Sequence, residues 1–417
     1  MLMLHPSRTR TFRSLRIRNY RLYLAGQAIS LCGTWMQTIA QGWLVLTLTR
    51  SGTALGLVVA LQFLPMLLLG PYGGLVADRV DRRRLLVATQ AALAALAALL
   101  GLLDVTGAVR LWMVFAVAAG FGLVTCVDMP TRQSFVMEMV GRDDLPNAVT
   151  LNSVLVNAAR AVGPAVAGAL IAVAGTGACF LTNAASYLAV IVALLRMDVR
   201  GLYRQEPVPR ARGQVRAGLA YVARTPALRV PLVMMAVIGT LAYEFQVVLP
   251  LVAERTFGGG AGTYGALTAA MGAGAVAGGL LVARRRRATS RALVLGAAGF
   301  GAVILLAAAA PTLPLAIAVL VLVGAGSVAF LAVGNATLQL AADPGMRGRV
   351  MALWGVAFLG TTPLGGPIAG WVGQHAGPRW ALALGGAAAV LAAGYGAWAL
   401  RGGRGPAAPG RAVAPAP

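Results

Sequence analysis

The chain is 417 residues long, 59% hydrophobic and only 11% charged, whereas a soluble domain carries about 25% charged residues. Its formal net charge of +23 comes from 35 Arg and no Lys, and in so apolar a chain a basic excess marks topology rather than nucleic-acid binding. The composition excludes a water-soluble domain, and no nucleic-acid partner is expected. The apolar residues fall in blocks of about 20 to 28, long enough for helices to cross a hydrocarbon core. No long stretch alternates with period two, as an outer-membrane barrel would.

In chain order, Met1 to Asn19 is Arg-rich without a cleavage site, and the apolar block after it is too long for a signal peptide, so residues 1–19 read as a cytoplasmic segment. Predicted spans follow at 20–48, 53–77, 84–103, 111–131, 149–173, 178–196, 229–252, 263–283, 291–310, 314–339, 349–374 and 378–400. The Pro- and Arg-rich residues 197–228 read as a cytoplasmic linker. They divide an N-terminal six-helix bundle (20–196) from a C-terminal one (229–400), and residues 401–417 read as a disordered cytoplasmic tail. With the N-terminus inside and the spans alternating, 30 Arg fall on the cytoplasmic side, Arg132 and Arg284 to Arg287 among them. Four fall outside (Arg50, Arg110, Arg255 and Arg379) and one, Arg160, lies within a span. Cytoplasmic loops attract Arg, so this split sets the orientation and supports an even number of spans. The sequence thus predicts an all-α membrane protein with twelve transmembrane helices in two pseudo-symmetric six-helix bundles, in the plasma (inner) membrane with both termini cytoplasmic.

The halves echo each other. Gly74-Leu-Val-Ala-Asp78-Arg79-Val-Asp81-Arg82-Arg83 lies between spans two and three, and Gly279-Leu-Leu-Val-Ala-Arg284 lies between spans eight and nine, 205 residues later. Gly163-Pro164 in span five returns as Gly366-Pro367 in span eleven, 203 residues on. Two unrelated signals at nearly one offset mark a duplicated six-helix unit, with a substrate site expected near the midplane between the copies.

These residues resemble the major facilitator superfamily. The loop from Gly74 to Arg83 resembles its signature between helices two and three, with Asp81 where a Gly is usual. Gly163-Pro164-x-x-x-Gly168 is similar to the superfamily's antiporter motif. Asn19-Tyr20-Arg21, Gly26-Gln27, Gly33-Thr34-Trp35, Asp128-x-Pro130-x-Arg132-Gln133 and Leu145-Pro146-Asn147-Ala148 resemble the branch containing the enterobactin exporter and macrolide efflux proteins. The resemblance covers residues 12 to 400 and implies the major facilitator fold and the export of drugs or siderophores. It also implies a gate in which Asp78 and Arg79 face helix eleven near Val350 to Trp354, while Arg82 pairs with the acid of helix four, matched here by Asp128. A topology signal with solvated charge is the other reading of the same loop.

Two ionisable residues lie inside spans. Glu244, about 15 residues into span seven, costs about 2.5–3.5 kcal/mol there when charged. It is expected to face a cavity and exchange a proton readily, to bind a substrate, or to serve as a structural acid paired with a polar neighbour. Arg160 needs an acid, a carbonyl or a ligand, and core packing and attraction of an anionic substrate are both open. Gln27, Thr34, Gln37 and Gln41 fall near one face of span one and read as cavity lining or as helix-to-helix hydrogen bonding. Tyr243, Gln246, Asn335 and Gln339 would add lining from the other half. Trp35 and Trp43 suit stacking on a drug or anchoring at the interface. Gly163, Pro164, Gly168, Gly366 and Pro367 read as helix-packing positions.

Without Lys there is no Gly-x-x-x-x-Gly-Lys loop, so ATP does not drive the chain directly. Cys32, Cys126 and Cys179, with His5 and His375, share no metal-ligand spacing. No nucleophile elbow or pair of carboxylates points to an enzyme, and no cofactor is expected. The expected partners are the bilayer, a small-molecule substrate and protons, with the chain a monomer. A non-transporting membrane sensor and an importer are the competing readings.

Overall fold

A computed structural model describes residues 12–203, 214–283 and 289–402, and the side chains of Pro71, Leu75, Asp78 and residues 214–216, 282–283 and 401–402 lie outside this description. The expectations for residues 1–11, Arg204, Arg210, Arg212, Arg284 to Arg287 and the tail from 403 likewise fall outside it. Every regular element among the described residues is a helix. In order they are α1 (Arg18–Thr49), α2 (Gly52–Arg79), α3 (Arg82–Val105), α4 (Leu111–Leu195), α5 (Gln214–Arg224), α6 (Pro226–Leu241) and α7 (Phe245–Leu251). After one π-helical turn (Val252–Thr256) come α8 (Ala261–Ala283), α9 (Ser290–Ala309), α10 (Leu313–Ala341), α11 (Arg347–Leu359), α12 (Thr362–His375) and α13 (Pro378–Gly402). Eight of the helical stretches are long and apolar enough to cross a membrane.

Local chemistry sets the reversals. Ser51, Asp81 and Thr289 accept hydrogen bonds from Ala54 N (3.2 Å), Arg84 N (2.9 Å) and Ala292 N (3.1 Å), capping α2, α3 and α9. Asp81, the departure from the superfamily loop, is therefore a helix cap. The 85 residues of α4 turn at Gly141 (φ 71°, ψ 179°) and Gly175 (φ 78°, ψ 177°), a region that essentially only glycine enters. They make three legs, residues 111–140, 142–174 and 176–195. The first leg runs past the expected end at 131 because Phe135, Val136, Met139 and Val140 keep an apolar face buried, so Arg132, expected in a loop, lies within a helix.

Two further expectations change. The span expected at 229–252 is broken between α6 and α7, with Tyr243 and Glu244 in the break. The span expected at 349–374 is interrupted at Gly360 and Thr361, where Pro363 in the first turn of α12 has no N–H to donate to the preceding turn. The segment expected as linker carries α5, whose Tyr221 hydroxyl accepts from Asp343 N at 3.1 Å.

The two ends of the molecule differ. At one end Arg13 pairs with Asp144 (2.9 Å), Asn19 donates to Asp198 O (2.8 Å), Arg83 donates to Leu194 O (2.7 Å) and Tyr203 N to Glu138 O (2.8 Å). This end gathers the Arg-rich segments. The other end holds Arg50, Arg255 and Arg379, the last donating to Ala310 O at 2.9 Å.

Candidate functional site

Two seams of small residues bring the first half of the chain against the second. A Cβ on Gly56 of α2 would lie 2.3 Å from Gly366 O of α12, and one on Gly370 would lie 2.2 Å from Gly52 O. A Cβ on Gly265 of α8 would lie 2.6 Å from Pro164 O, and one on Gly272 would lie 2.6 Å from Arg160 O, both in the middle leg of α4. Gly168 faces Gly262 and Gly265, Gly163 takes the Trp35 side chain of α1, and Pro367 borders Gly56. All five residues picked out for packing thus stand where helices touch backbone to backbone, as small residues allow in membranes.

Both seams lie toward the Arg-poor end. There the Arg255 guanidinium donates to Arg50 O (2.5 Å) and Gln374 Oε1 (2.9 Å), and Gln374 Oε1 also accepts from Gly52 N (2.8 Å). The π-helical turn that carries Arg255 is of the kind that recurs at functional positions. Toward the Arg-rich end Leu67 of α2 lies against Gly360, before α12. Beyond it Tyr72 of α2 is 66% exposed and Leu280 of α8 65% exposed.

Glu244 stands in the break between α6 and α7, 3% exposed. Its Oε1 has no hydrogen-bond partner among the described residues. Thr362, at the start of α12, is its polar neighbour. A Cβ on Gly365 would lie 2.6 Å from Oε1 and one on Gly366 would lie 3.6 Å from Oε2, so the carboxylate rests against the glycine seam itself. Half-helices that leave a polar residue in the break are the usual site-builders of transporters.

Arg160, in the middle leg of α4, lies with its guanidinium carbon 5.1 Å from the centre of the Trp35 ring. Its Nε is buried without a hydrogen-bond partner, and no acid pairs with it among the described residues. The residue keeps part of its surface open. Tyr243 is the ionisable side chain within reach of its charge; it donates to Ser327 O (2.9 Å) and packs edge-on against Phe358 at 5.0 Å.

The gate expected from the sequence is arranged differently. Arg82 pairs with Glu138, not with Asp128. Asp128, 3% exposed, accepts from Thr89 Oγ1 (2.7 Å) and Gln90 Nε2 (2.9 Å) and pairs with Arg132 at 2.5 Å. The reason is helical geometry. Asp128 and Arg132 share a face at i and i+4, while Asp128 lies about 15 Å further along the leg than Glu138, at 1.5 Å per residue. Arg79 is exposed and makes no ion pair among the described residues.

The polar face of α1 makes helix-to-helix hydrogen bonds, one of the two uses open to it in the sequence. Gln27 accepts from Arg132 (2.5 Å), Gln37 from Asn183 (2.5 Å), and Gln41 donates to Gln62 (3.3 Å); all three are buried. They bind α1 to its neighbours. Thr34 is exposed and donates to Ser30 O (2.9 Å). Gln339 donates to Asn335 on the same helix (2.5 Å), and Gln246 is partly buried. Reading the sequence alone missed Arg132, Glu138, Thr89, Gln90, Arg255 and Gln374. The Asp128-x-x-x-Arg132 spacing was the available signal for the first; the others become partners only through tertiary contact.

Residues 9–401 match the family described as transmembrane secretion effector. The chain belongs to this family of the major facilitator superfamily. The family and these relatives are multi-pass membrane transporters, not enzymes. The chain is 27% identical over 359 residues to the multidrug efflux pump Tap of Mycolicibacterium fortuitum, covering 82% of this chain and 87% of that one. It is 26% identical over 181 residues to the staphyloferrin A transporter of Staphylococcus aureus, covering 43% of this chain and 46% of that one, so the match spans less than half of that relative. Macrolide efflux protein A of Streptococcus pyogenes is 22% identical over 250 residues, 60% of this chain and 62% of that one. Among solved structures, a bacterial homologue of the lysosomal transporter Spinster, inward-facing and unoccupied, gives a TM-score of 0.70 at 15% identity, covering 95% of this chain and 98% of that one. A bacterial homologue of ferroportin, inward-facing, gives 0.70 at 14% identity over 92% and 98%. These likenesses establish the fold.

Proposed function

We propose that this chain is a proton-driven exporter of small hydrophobic or amphipathic molecules. The helices then make twelve crossings: α1, α2, α3, the three legs of α4, α6 with α7, α8, α9, α10, α11 with α12, and α13. They form two six-helix bundles that rock about the two glycine seams, as a monomer with both termini in the cytoplasm. The Arg-rich end faces the cytoplasm by the positive-inside rule. The outer end is closed by Arg255, Gln374 and the seams, and the inner end stands open.

The observation that carries this reading is Glu244: a buried acid with an unpartnered oxygen, at a helix break, pressed against the seam that must part when the outer end opens. A buried carboxyl in that place is neutralised by a proton or opened to water, and parting of α6 from α12 exchanges one for the other. A proton taken from outside and released inside gains about 2.3 kcal/mol per 100 mV, and the return stroke carries substrate out. Antiport by a single acid on a moving seam needs no ATP.

The test is flux in everted vesicles with an imposed pH gradient, screening amphipathic antibiotics and dyes, wild type against Glu244→Gln. Gradient-driven accumulation in wild type that vanishes in Glu244→Gln supports the proposal. Full efflux in Glu244→Gln ends it. A second reading, export of a siderophore-type metabolite on the same machinery, is favoured by the staphyloferrin A relative and separates from the first by which compounds compete.

A further inference from the structure

We propose that the transported molecule carries an anionic oxyacid group on an aromatic or apolar body, and that Arg160 and Trp35 form its recognition site. This rests on the export reading, but its geometry stands apart from Glu244. The other buried or half-buried Arg residues that face acids are matched: Arg82 with Glu138 and Arg132 with Asp128. Arg160 is not. It sits where α1, the middle leg of α4 and α8 converge, since its side chain covers Trp35 of α1 and its carbonyl lies under Gly272 of α8. That places an unmatched cation on the surface between the two halves of the chain, where a transported molecule has to pass.

The manner of its holding points to the ligand. The guanidinium rests over the Trp35 ring at 5.1 Å, which occupies a face of the planar group. A stacked guanidinium keeps its in-plane N–H donors available, and that fork matches a carboxylate, sulfonate or phosphate edge-on. The Nε, one of those in-plane donors, is buried and has no partner. A buried donor left unmade costs free energy until something accepts from it. Tyr243 does not fill the role: its hydroxyl donates to Ser327 O and makes no hydrogen bond to the Nε. The surroundings are aromatic: Trp35 lies under the guanidinium, and Tyr243, packed on Phe358, lies within reach of its charge, so the body attached to the anion is apolar. A cationic drug would meet like charge here. Glu244 is held by α12 and Thr362 and forms no ion pair with Arg160, which leaves the proton step and the recognition step on separate residues.

The experiment measures saturable binding to the purified full chain in detergent with three probes of one shape: tritiated 2-naphthoate, neutral 2-naphthamide and cationic 2-naphthylmethylammonium. Wild type is expected to bind the anion at least tenfold tighter than the amide or the cation. Arg160→Gln, checked as monodisperse by size exclusion, loses that preference and binds all three alike. Arg160→Lys, which keeps the charge without the fork, retains the sign of the preference with weaker affinity. Trp35→Leu weakens all three probes. Saturable binding that favours the cation, no saturable naphthoate binding, or a charge preference unchanged in Arg160→Gln overturns the proposal. The two readings fail separately. A charge preference without gradient-driven efflux removes the export reading and leaves the site. Efflux of cationic amphiphiles untouched by Arg160→Gln removes the site and leaves export.

Discussion

Gly163-Pro164 and Gly366-Pro367 stand 203 residues apart, and each receives a glycine from a facing helix: Gly265 on the Pro164 carbonyl and Gly56 on Gly366. What flanks them is opposite in kind. Three residues before Gly163 is Arg160, stacked on Trp35. Three residues before Gly366 is Pro363, which interrupts the helix, and beside it Thr362 neighbours Glu244. One corner of the repeat holds a cation on an unbroken helix, and the other holds an acid where two helices are broken. The two Gly-Pro corners share a close backbone approach and hold opposite charges. On the proposed reading, one corner senses the cargo's sign and the other takes up energy.

The halves also cohere by different means. Before the linker, Asp128, Arg132, Gln27, Thr89 and Gln90 form one buried polar network, with Gln37 to Asn183 and Gln41 to Gln62 as further braces. After it, the corresponding place is filled by rings: Tyr243, Phe245, Phe300, Phe330 and Phe358. Directional hydrogen bonds hold one geometry, whereas ring contacts at 5–6.5 Å tolerate sliding. On the proposed reading, the first half moves as the more rigid body and the broken helices of the second absorb the motion.

The comparison can be broken at its strongest point by Gly56→Val. Its Cβ would run into the Gly366 carbonyl, so transport is expected to fall to background while the protein still reaches the membrane; vesicle flux and membrane yield check this. Asp128→Ala leaves Arg132, partly buried, with Gln27 but without its acid, a loss of about 1–3 kcal/mol, seen as a lowered melting temperature in detergent. Breaking single ring contacts, as in Phe330→Leu, should cost visibly less. Glu244→Gln should cut gradient-driven efflux at least tenfold yet leave substrate counterflow, and loss of both would move Glu244 into the binding site. Gln374→Ala removes hydrogen bonds worth about 0.5–1.5 kcal/mol each. It should shift the balance toward the outward-open form by about two- to tenfold, read as faster thiol labelling of Thr34→Cys from outside in a background without the native cysteines.

Much of the architecture was legible from apolar block length and the Gly-Pro echo, because a bilayer demands long apolar helices and because duplicated seams keep their glycines. The twofold interruption of the helices around Tyr243 and Pro363 was not, since hydropathy averages over a break of two or three residues. Arg160 and Glu244 stood out because charge inside an apolar run is rare. Their surroundings did not, because Trp35 is 125 positions from Arg160 and only packing brings them together. The Arg82 partner was misplaced for a similar reason. Sequence marks Asp128 as an acid in an apolar run, but the depth of an acid along a helix decides whom it meets, and Glu138 is the one level with Arg82.

The seams have one more consequence. They are made almost wholly of main chain, glycine against carbonyl, so on the proposed reading the surfaces that open and shut hold no record of what is carried. Side chains around Arg160 and Trp35 can therefore drift toward new cargo without retuning the hinge. A lineage built this way can change its diet while keeping its jaw, provided the glycines themselves stay fixed.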